Sequence, residues 1–193
     1  MARPIEFDRD QVLDKAMACF WQSGYEATSI SDLVEATQLK PGSLYAAFTN
    51  KQNLFLLTLE RYAGQSLTRI EERFTQASDA LSGIESFLGH MGQDCSNDRE
   101  GRGCLLVNSL LEFASADPKV HQQIRVYLDR VEVLLRQQVQ RAIDTGQLAS
   151  GRSAAQRAAF LLTGIWGMRV MSARQPEPES YQCITEQLLA AIR

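Results

Sequence analysis

Apolar residues recur every three or four positions along almost the whole chain, the period of a helix with one face turned to a core. From about residue 8 to residue 23, Val12, Ala16, Cys19 and Phe20 keep that spacing, with Leu13 and Met17 beside them, and Gly24 stands where a helix ends. Thr28 and Ser29 supply cap hydroxyls for a short helix carrying Ile30, Leu33 and Val34 on one face. Leu39 falls in a turn, and Pro41-Gly42-Ser43 opens a second short helix with Leu44 and Phe48 inward. Asn50 then caps a longer helix through Leu54, Leu57, Leu59 and Tyr62. Further helices are predicted over 80–94, 104–115, 118–145, 154–173 and 178–192. They are separated by the polar, glycine-bearing segment 96–103, by Asp117-Pro118, by Thr145-Gly146 and by Gln175-Pro176-Glu177-Pro178. No alternating Val/Ile/Thr/Tyr run and no Asn-Gly or Asp-Gly hairpin signal competes with this pattern. The prediction is all-α: a small N-terminal helical unit, then a larger C-terminal helical bundle, about nine helices in all.

Residues 29–48 have the anatomy of a helix-turn-helix. Two short helices are joined by three or four residues, and Leu33, Leu39, Leu44 and Phe48 are placed to fix their crossing. In that arrangement the second helix enters the major groove of DNA and the first braces it; any short helical hairpin, however, buries such residues. Charge bears on this only locally. The chain is formally −3, and residues 1–52 hold five Lys/Arg against seven Asp/Glu, so there is no global basic signature. Residues 38–52 carry Lys40 and Lys51 as their only charges. Binding to DNA would then draw its strength from two copies of the motif in a dimer, not from a large basic patch.

The segments Gly24-Tyr25-Glu26-Ala27-Thr28-Ser29-Ile30-Ser31-Asp32-Leu33-Val34 and Lys40-Pro41-Gly42-Ser43-Leu44-Tyr45-Ala46-Ala47-Phe48-Thr49-Asn50-Lys51 closely resemble the TetR family of bacterial transcriptional regulators. The resemblance runs from residue 8 to about 60. It implies a three-helix DNA-binding domain over 1–62 and a ligand-binding and dimerisation domain over 63–193. It further implies that Thr28 meets a phosphate at the start of the second helix, and that Lys40, Pro41, Gly42 and Ser43 open the recognition helix. Tyr45 and Lys51 would meet further phosphates. Helix N-termini, hydroxyls and lysines suit those roles, and Ser43 is the candidate base reader, with Lys40 as the charged alternative. The sequence departs from the family at Gln38, where glycine is frequent. If that position needs a positive φ, glutamine costs about 1 kcal/mol there.

Residues 158–171 are apolar around most of the helix circumference, as expected of a helix buried on more than one side. The resemblance implies that the last two helices pair with those of a second copy, through Gly164, Trp166, Gly167, Leu188, Leu189 and Ile192. It also implies an effector cavity in the bundle, for which Phe87, Met91, Cys104, Leu105, Phe113, Tyr127 and Trp166 are candidate walls. Each of these also reads as ordinary core.

Four cysteines, Cys19, Cys95, Cys104 and Cys183, lack C-x-x-C or zinc spacing. Cys104 opens a helix after a loop bearing Arg99 and Arg102, a setting that favours thiolate, and Gly103-Cys104-Leu105-Leu106-Val107 resembles a segment of TetR-family repressors that respond to electrophiles or oxidants. Cys95 is a candidate resolving partner, and Cys19 and Cys183 are expected in helical core positions. A small buried thiol helping to pack the bundle is the competing reading of Cys104.

His90 and Asp94, four residues apart, read as an exposed helix face as well as a metal pair, so no metal or cofactor is expected. Nucleophile-elbow, P-loop, zincin and dinucleotide motifs are absent, so an enzyme is not expected. The apolar stretch 158–168 is too short to span a bilayer, and the start has no apolar core before a cleavage site. The expectation is a cytoplasmic homodimeric repressor with double-stranded operator DNA and an unidentified small effector as partners. A helical sensor acting through a protein partner is the alternative.

Overall fold

The computed structural model describes residues 7–193. These residues form nine α-helices and no strand: α1 (Arg9–Ser23), α2 (Ile30–Thr37), α3 (Pro41–Phe48), α4 (Lys51–Gln76), α5 (Ala80–Ser96), α6 (Leu105–Glu112), α7 (Pro118–Asp144), α8 (Ala154–Met171) and α9 (Pro178–Ile192). The helix starts follow local chemistry. Side chains of Asp8, Ser29, Asn50, Asp79, Asp117 and Ser153 accept hydrogen bonds from the first free N–H groups of α1, α2, α4, α5, α7 and α8. α6 is shorter than the predicted 104–115. The chain leaves the helix at Phe113 because Asp117 and Pro118 must already be set to start α7. α8 ends at Met171 and continues as a 3-10 turn, Ser172–Arg174.

Two backbone turns shape the N-terminal unit. Gln38 closes α2 in the left-handed region at φ 60°, ψ 19°, and its amide donates to the Glu35 carbonyl. The expected cost of a non-glycine residue is therefore present. Thr49 sits at φ 68°, ψ −55°, and the Asn50 N–H closes a γ-turn on the Phe48 carbonyl at 2.7 Å. A β-branched residue is strained in that conformation, and the turn it makes is what swings α4 sharply away from α3.

The chain packs around two apolar cores. The first gathers Val12, Ala16, Phe20, Leu33, Leu44, Phe48 and Phe55 from α1–α4 with Leu105, Phe113 and Ile124 from α6 and α7. The second gathers Ile70, Ile84, Phe87, Val139, Leu161, Ile165 and Leu188 from α4, α5, α7, α8 and α9. The expected boundary at residue 62 falls inside α4, which runs unbroken for 26 residues, about 39 Å at the helical rise, and contributes to both cores.

α8 and α9 pack within the chain in a way the sequence pattern did not disclose. A Cβ at Gly164 would run into the Leu188 side chain, and Leu188 and Ile192 are buried in the second core. Gly164 and Leu188, expected on a face for a second copy, thus meet each other within one copy, and Ile192 is buried beside them in the same core. Gly164→Leu should accordingly lower the stability of the protomer itself by about 1–3 kcal/mol through overpacking. The check is a denaturant midpoint that falls equally at low and high protein concentration; an unchanged midpoint would show that this contact yields freely.

Candidate functional site

The helix-turn-helix presents one unusual helix start. α3 begins with Lys40 at the N-cap, whose side chain makes no capping bond, and Pro41 at the first position has no N–H to satisfy. The N–H groups of Gly42 and Ser43 therefore stay free at the positive end of the helix. Lys40, Pro41 and Gly42 are exposed and Ser43 is half-buried; a Cβ built at Gly42 would meet nothing within 4 Å. Tyr45, one turn on, is 46% exposed while its neighbours Leu44 and Phe48 are buried. α3 thus holds its apolar side in the core and turns a polar, anion-accepting side outward.

Two cations flank this surface. Lys51, in the first turn of α4, lies over the Tyr25 ring with Nζ 4.3 Å from the ring centre and 3.4 Å from the Glu26 carbonyl oxygen. The Arg9 guanidinium lies over the Phe48 ring at 4.8 Å and donates to the Ala47 carbonyl at 3.2 Å, at the far end of α3. Arg9 was not singled out in the sequence, because nothing in its own surroundings ties it to a helix forty residues on. Thr28 is a correction. Its side chain is buried, 1% exposed, and its hydroxyl donates to the Gly24 carbonyl at 2.6 Å. The hydroxyl expected to meet a phosphate instead closes the turn between α1 and α2.

Above this unit lies a cavity of about 320 Å³. Phe87, Met91, Cys104 and Trp166 line it as expected. Leu105, Phe113 and Tyr127 do not: all three are buried in the first core, where the Phe113 ring stacks on Phe55 at 5.4 Å and meets Tyr25 at 5.1 Å. Periodicity marks such residues as inward-facing but does not say which inward space they face. Trp21 and Tyr62 were missed as wall residues, although they come from α1 and α4 of the N-terminal unit, and so were Arg69, Arg73, Arg102 and Arg169.

The thiols divide by setting. Cys104 is half-buried, with its Sγ 3.8 Å from the Tyr62 hydroxyl on the cavity wall. Burial pushes the Tyr62 hydroxyl well above the usual phenol range, with Cys104 adding to the effect. Cys95 is buried, and that burial pushes its thiol up to about 11, so it holds its proton. Burial also raises Cys19, with Asp32 adding to it, whereas Cys183 is exposed, against the expectation of a core position.

Three contacts join the N-terminal helical unit to α6 and the segments on either side of it. The Glu112 carboxylate, at the end of α6, accepts from the Tyr25 and Glu26 N–H groups at 3.0 and 2.8 Å. The Trp21 indole donates to the Arg102 carbonyl at 3.2 Å, and the Arg102 guanidinium lies over the indole at 4.6 Å. The Gln52 amide donates to Asp117 at 2.7 Å. On the opposite side of the bundle, α8 exposes Phe160 (45%), Thr163, Gly167 and Val170 (56%), which repeat at three- and four-residue intervals. Gly167 thus faces outward, Leu189 is half-buried and Trp166 lines the cavity. Among the described residues no His/Cys/Asp/Glu cluster suits a metal ion, and no helix is long and apolar enough to cross a membrane.

The sequence profile of the bacterial regulatory proteins of the tetR family matches residues 12–58, and that of the tetracyclin repressor-like C-terminal domain matches residues 80–188. The HTH-type transcriptional repressor ComR of Escherichia coli is 42% identical over 108 residues; the match takes in 55% of this chain and 51%, about half, of that repressor. The uncharacterized HTH-type regulator YezE of Bacillus subtilis is 26% identical over 148 residues, 77% of this chain and 76% of its own. A cysteine-substituted form of the TetR family transcriptional regulator CifR, solved with 26-bp double-strand operator DNA, superposes with a TM-score of 0.87 at 30% identity, covering 100% of both chains. Matched at both ends and superposed along its whole length, the chain belongs to the tetR family of bacterial regulatory proteins, which are DNA-binding transcription regulators and not enzymes.

Proposed function

We propose that this chain is a homodimeric transcriptional repressor that holds a palindromic operator through two copies of residues 29–48 and leaves it when a small molecule or reactive electrophile occupies the C-terminal cavity. The observation that carries the reading is the start of α3: exposed, uncapped, with two free N–H groups beside Lys40 and one turn from the exposed Tyr45. In this reading Lys40, Tyr45 and Lys51 grip phosphates, the Gly42 backbone approaches the DNA closely, and Ser43 reads a base edge. Residues 1–62 then hold the operator and also lend Trp21 and Tyr62 to the effector cavity, which residues 63–193 otherwise surround. Support comes from the CifR structural relative, which carries operator DNA, and from ComR, which is named a repressor.

Two half-sites on one face of DNA lie about 34 Å apart, so the spacing between recognition helices decides affinity. The outward stripe of α8, Phe160, Thr163, Gly167 and Val170, supplies the surface that pairs two copies. An occupant of the cavity presses on Trp21 and Tyr62, which belong to α1 and α4, and so reorients the unit that bears α3. A difference of a few kcal/mol in affinity between two such arrangements is enough to empty the operator. Cys104 is the thiol to which an electrophile would attach, since it faces the cavity while Cys95 is sealed in the core.

Anisotropy titration on the upstream region of the gene tests the DNA assignment. Tyr45→Phe should weaken binding about fivefold, the loss of one hydrogen bond, with sequence preference unchanged. Lys40→Ala and Lys51→Ala should each lower the salt slope of binding by about 1, while Ser43→Ala should alter the preferred bases. Wild-type affinity in all four variants would remove the assignment.

Phe160→Glu and Val170→Glu, placed on the exposed stripe, should shift the chain from dimer to monomer by light scattering and cost operator binding while leaving the helical signal intact. A dimer that persists in both variants places the pairing surface elsewhere. N-ethylmaleimide should release wild-type protein from the operator and leave Cys104→Ser bound. Equal release of the two proteins would assign the effect to another thiol, with the exposed Cys183 replaced in turn as the control.

A further inference from the structure

The cavity carries more positive charge than its walls neutralise. Four guanidinium groups line it, from Arg69 and Arg73 on α4, Arg102 before α6 and Arg169 on α8, against the two carboxylates of Asp94 and Asp98. Both carboxylates and two of the four guanidiniums have partners. Arg169 reaches Asp94 at 3.3 Å. Asp98 accepts from the Gly103 N–H at 2.7 Å. Arg102 pairs with Glu100 at 3.2 Å and covers the Trp21 ring. Arg69 reaches only the Ser66 hydroxyl, at 3.5 Å. Among the described residues, neither Arg69 nor Arg73 has a carboxylate within the 4 Å of an ion pair. They stand one helical turn apart on the same side of α4, where two forks can converge on one anion.

The position of these two arginines along α4 matters as much as their charge. Tyr62, at the aromatic end with Trp21, lies about 10 Å along the helix from Arg69 and about 16 Å from Arg73 at the helical rise. Arg69 is exposed and Arg73 half-buried, whereas Tyr62 and Phe87 are buried. Arg69 and Arg73 therefore form an unpaired cationic end, while the paired Arg102 and Arg169 share the aromatic end with Trp21 and Tyr62. A neutral apolar occupant would leave the Arg69 and Arg73 guanidiniums unpaired. A planar carboxylate matches their geometry, because two parallel N–H groups of one guanidinium meet its two oxygens. The cavity's size, about 320 Å³, is at the small end of ligand pockets, which favours a compact acid over a nucleotide-bearing one. We propose that the cavity selects an amphipathic organic carboxylate, with its apolar body against Trp21, Phe87 and Trp166 and its carboxylate held by Arg69 and Arg73. This rests on the reading of the cavity as the effector site and names the chemistry of the non-covalent occupant.

The chain supplies its own reporter, since both of its tryptophans, Trp21 and Trp166, line the cavity. Octanoate and octan-1-ol, equal in length and different in charge, are titrated against the full chain while tryptophan emission is followed. Octanoate should produce a saturable shift at a concentration about tenfold or more below that for octan-1-ol, the worth of a charge-assisted pair. Arg69→Gln with Arg73→Gln should bring the two ligands to within about twofold of each other and leave octan-1-ol binding unchanged. Arg69→Lys with Arg73→Lys, which keeps charge without the fork, should retain part of the preference, and Arg125→Gln, on an exposed face of α7, all of it. Thermal melts confirm that each variant is folded. Equal binding of acid and alcohol, a preference that survives the double Gln variant, or no octanoate response at all overturns the inference. Operator release is measured separately on the same samples. Octanoate that occupies the cavity without releasing DNA defeats the effector reading and leaves the carboxylate inference standing, whereas release by the alcohol alone does the reverse.

Discussion

The structure depends on α4 belonging to two cores at once. Near its start Phe55 is locked among Phe20, Tyr25 and Phe113, with ring centres 5.0, 4.9 and 5.4 Å away. Near its end Ile70 is buried with Ile84 and Phe87. The same helix carries Lys51 at the foot and Arg69 and Arg73 on the cavity wall. α4 runs unbroken through both cores, with Gly64 between its two ends in open surroundings, so its two halves share one helix whose least constrained point is at its centre. The two halves of the chain are therefore not joined by a separate linker. They share one continuous helix, and the Arg61 guanidinium, paired with Asp14 at 2.6 Å and Asp10 at 3.1 Å, fastens α1 to it as well.

Much of this was legible in the amino-acid pattern, and the reason is that helices are specified locally. Asp8, Ser29, Asn50, Asp117 and Ser153 each announce a helix start within four residues of the bonds they accept, and the structure puts helices there. The start of α3 was legible for the same reason, since a proline at the first position and an exposed lysine before it are neighbours in sequence. What the pattern could not supply was partnership across distance. Leu188 looks equally apolar whether it meets Gly164 of its own chain or a second copy, and Phe113 looks equally inward in a core or on a cavity wall. Thr28 misled because a hydroxyl at a helix start has two uses, and burial decided for the turn. The arginines of the cavity were silent because charged positions on a helix normally face water; only tertiary packing turned four of them toward one space.

Local rules are broken at Gln38 and Thr49, which bracket α3, and again at Gln175, which ends the 3-10 turn after α8. Thr49 holds a conformation that a β-branched residue avoids, at the corner between α3 and α4, and Gln38 occupies a left-handed site at the corner between α2 and α3. Both corners set the angle at which α3 stands out from the unit. Departures of this kind persist where the surrounding packing over-determines them, as the buried Leu39, Leu44 and Phe48 do here.

Glu112 is a departure of another kind. A carboxylate at the end of a helix is disfavoured by the helix's own dipole, yet Glu112 ends α6 and accepts two backbone N–H groups of the α1–α2 turn. Because its partners are main-chain atoms, residue 26 carries no side-chain demand at this latch, whereas the Tyr25 ring is packed on Phe20, Phe55 and Phe113 and belongs to the joint. The joint between the two halves is therefore written at residue 112, whose partners are main-chain atoms, and at residue 25, whose ring fills the space beside it.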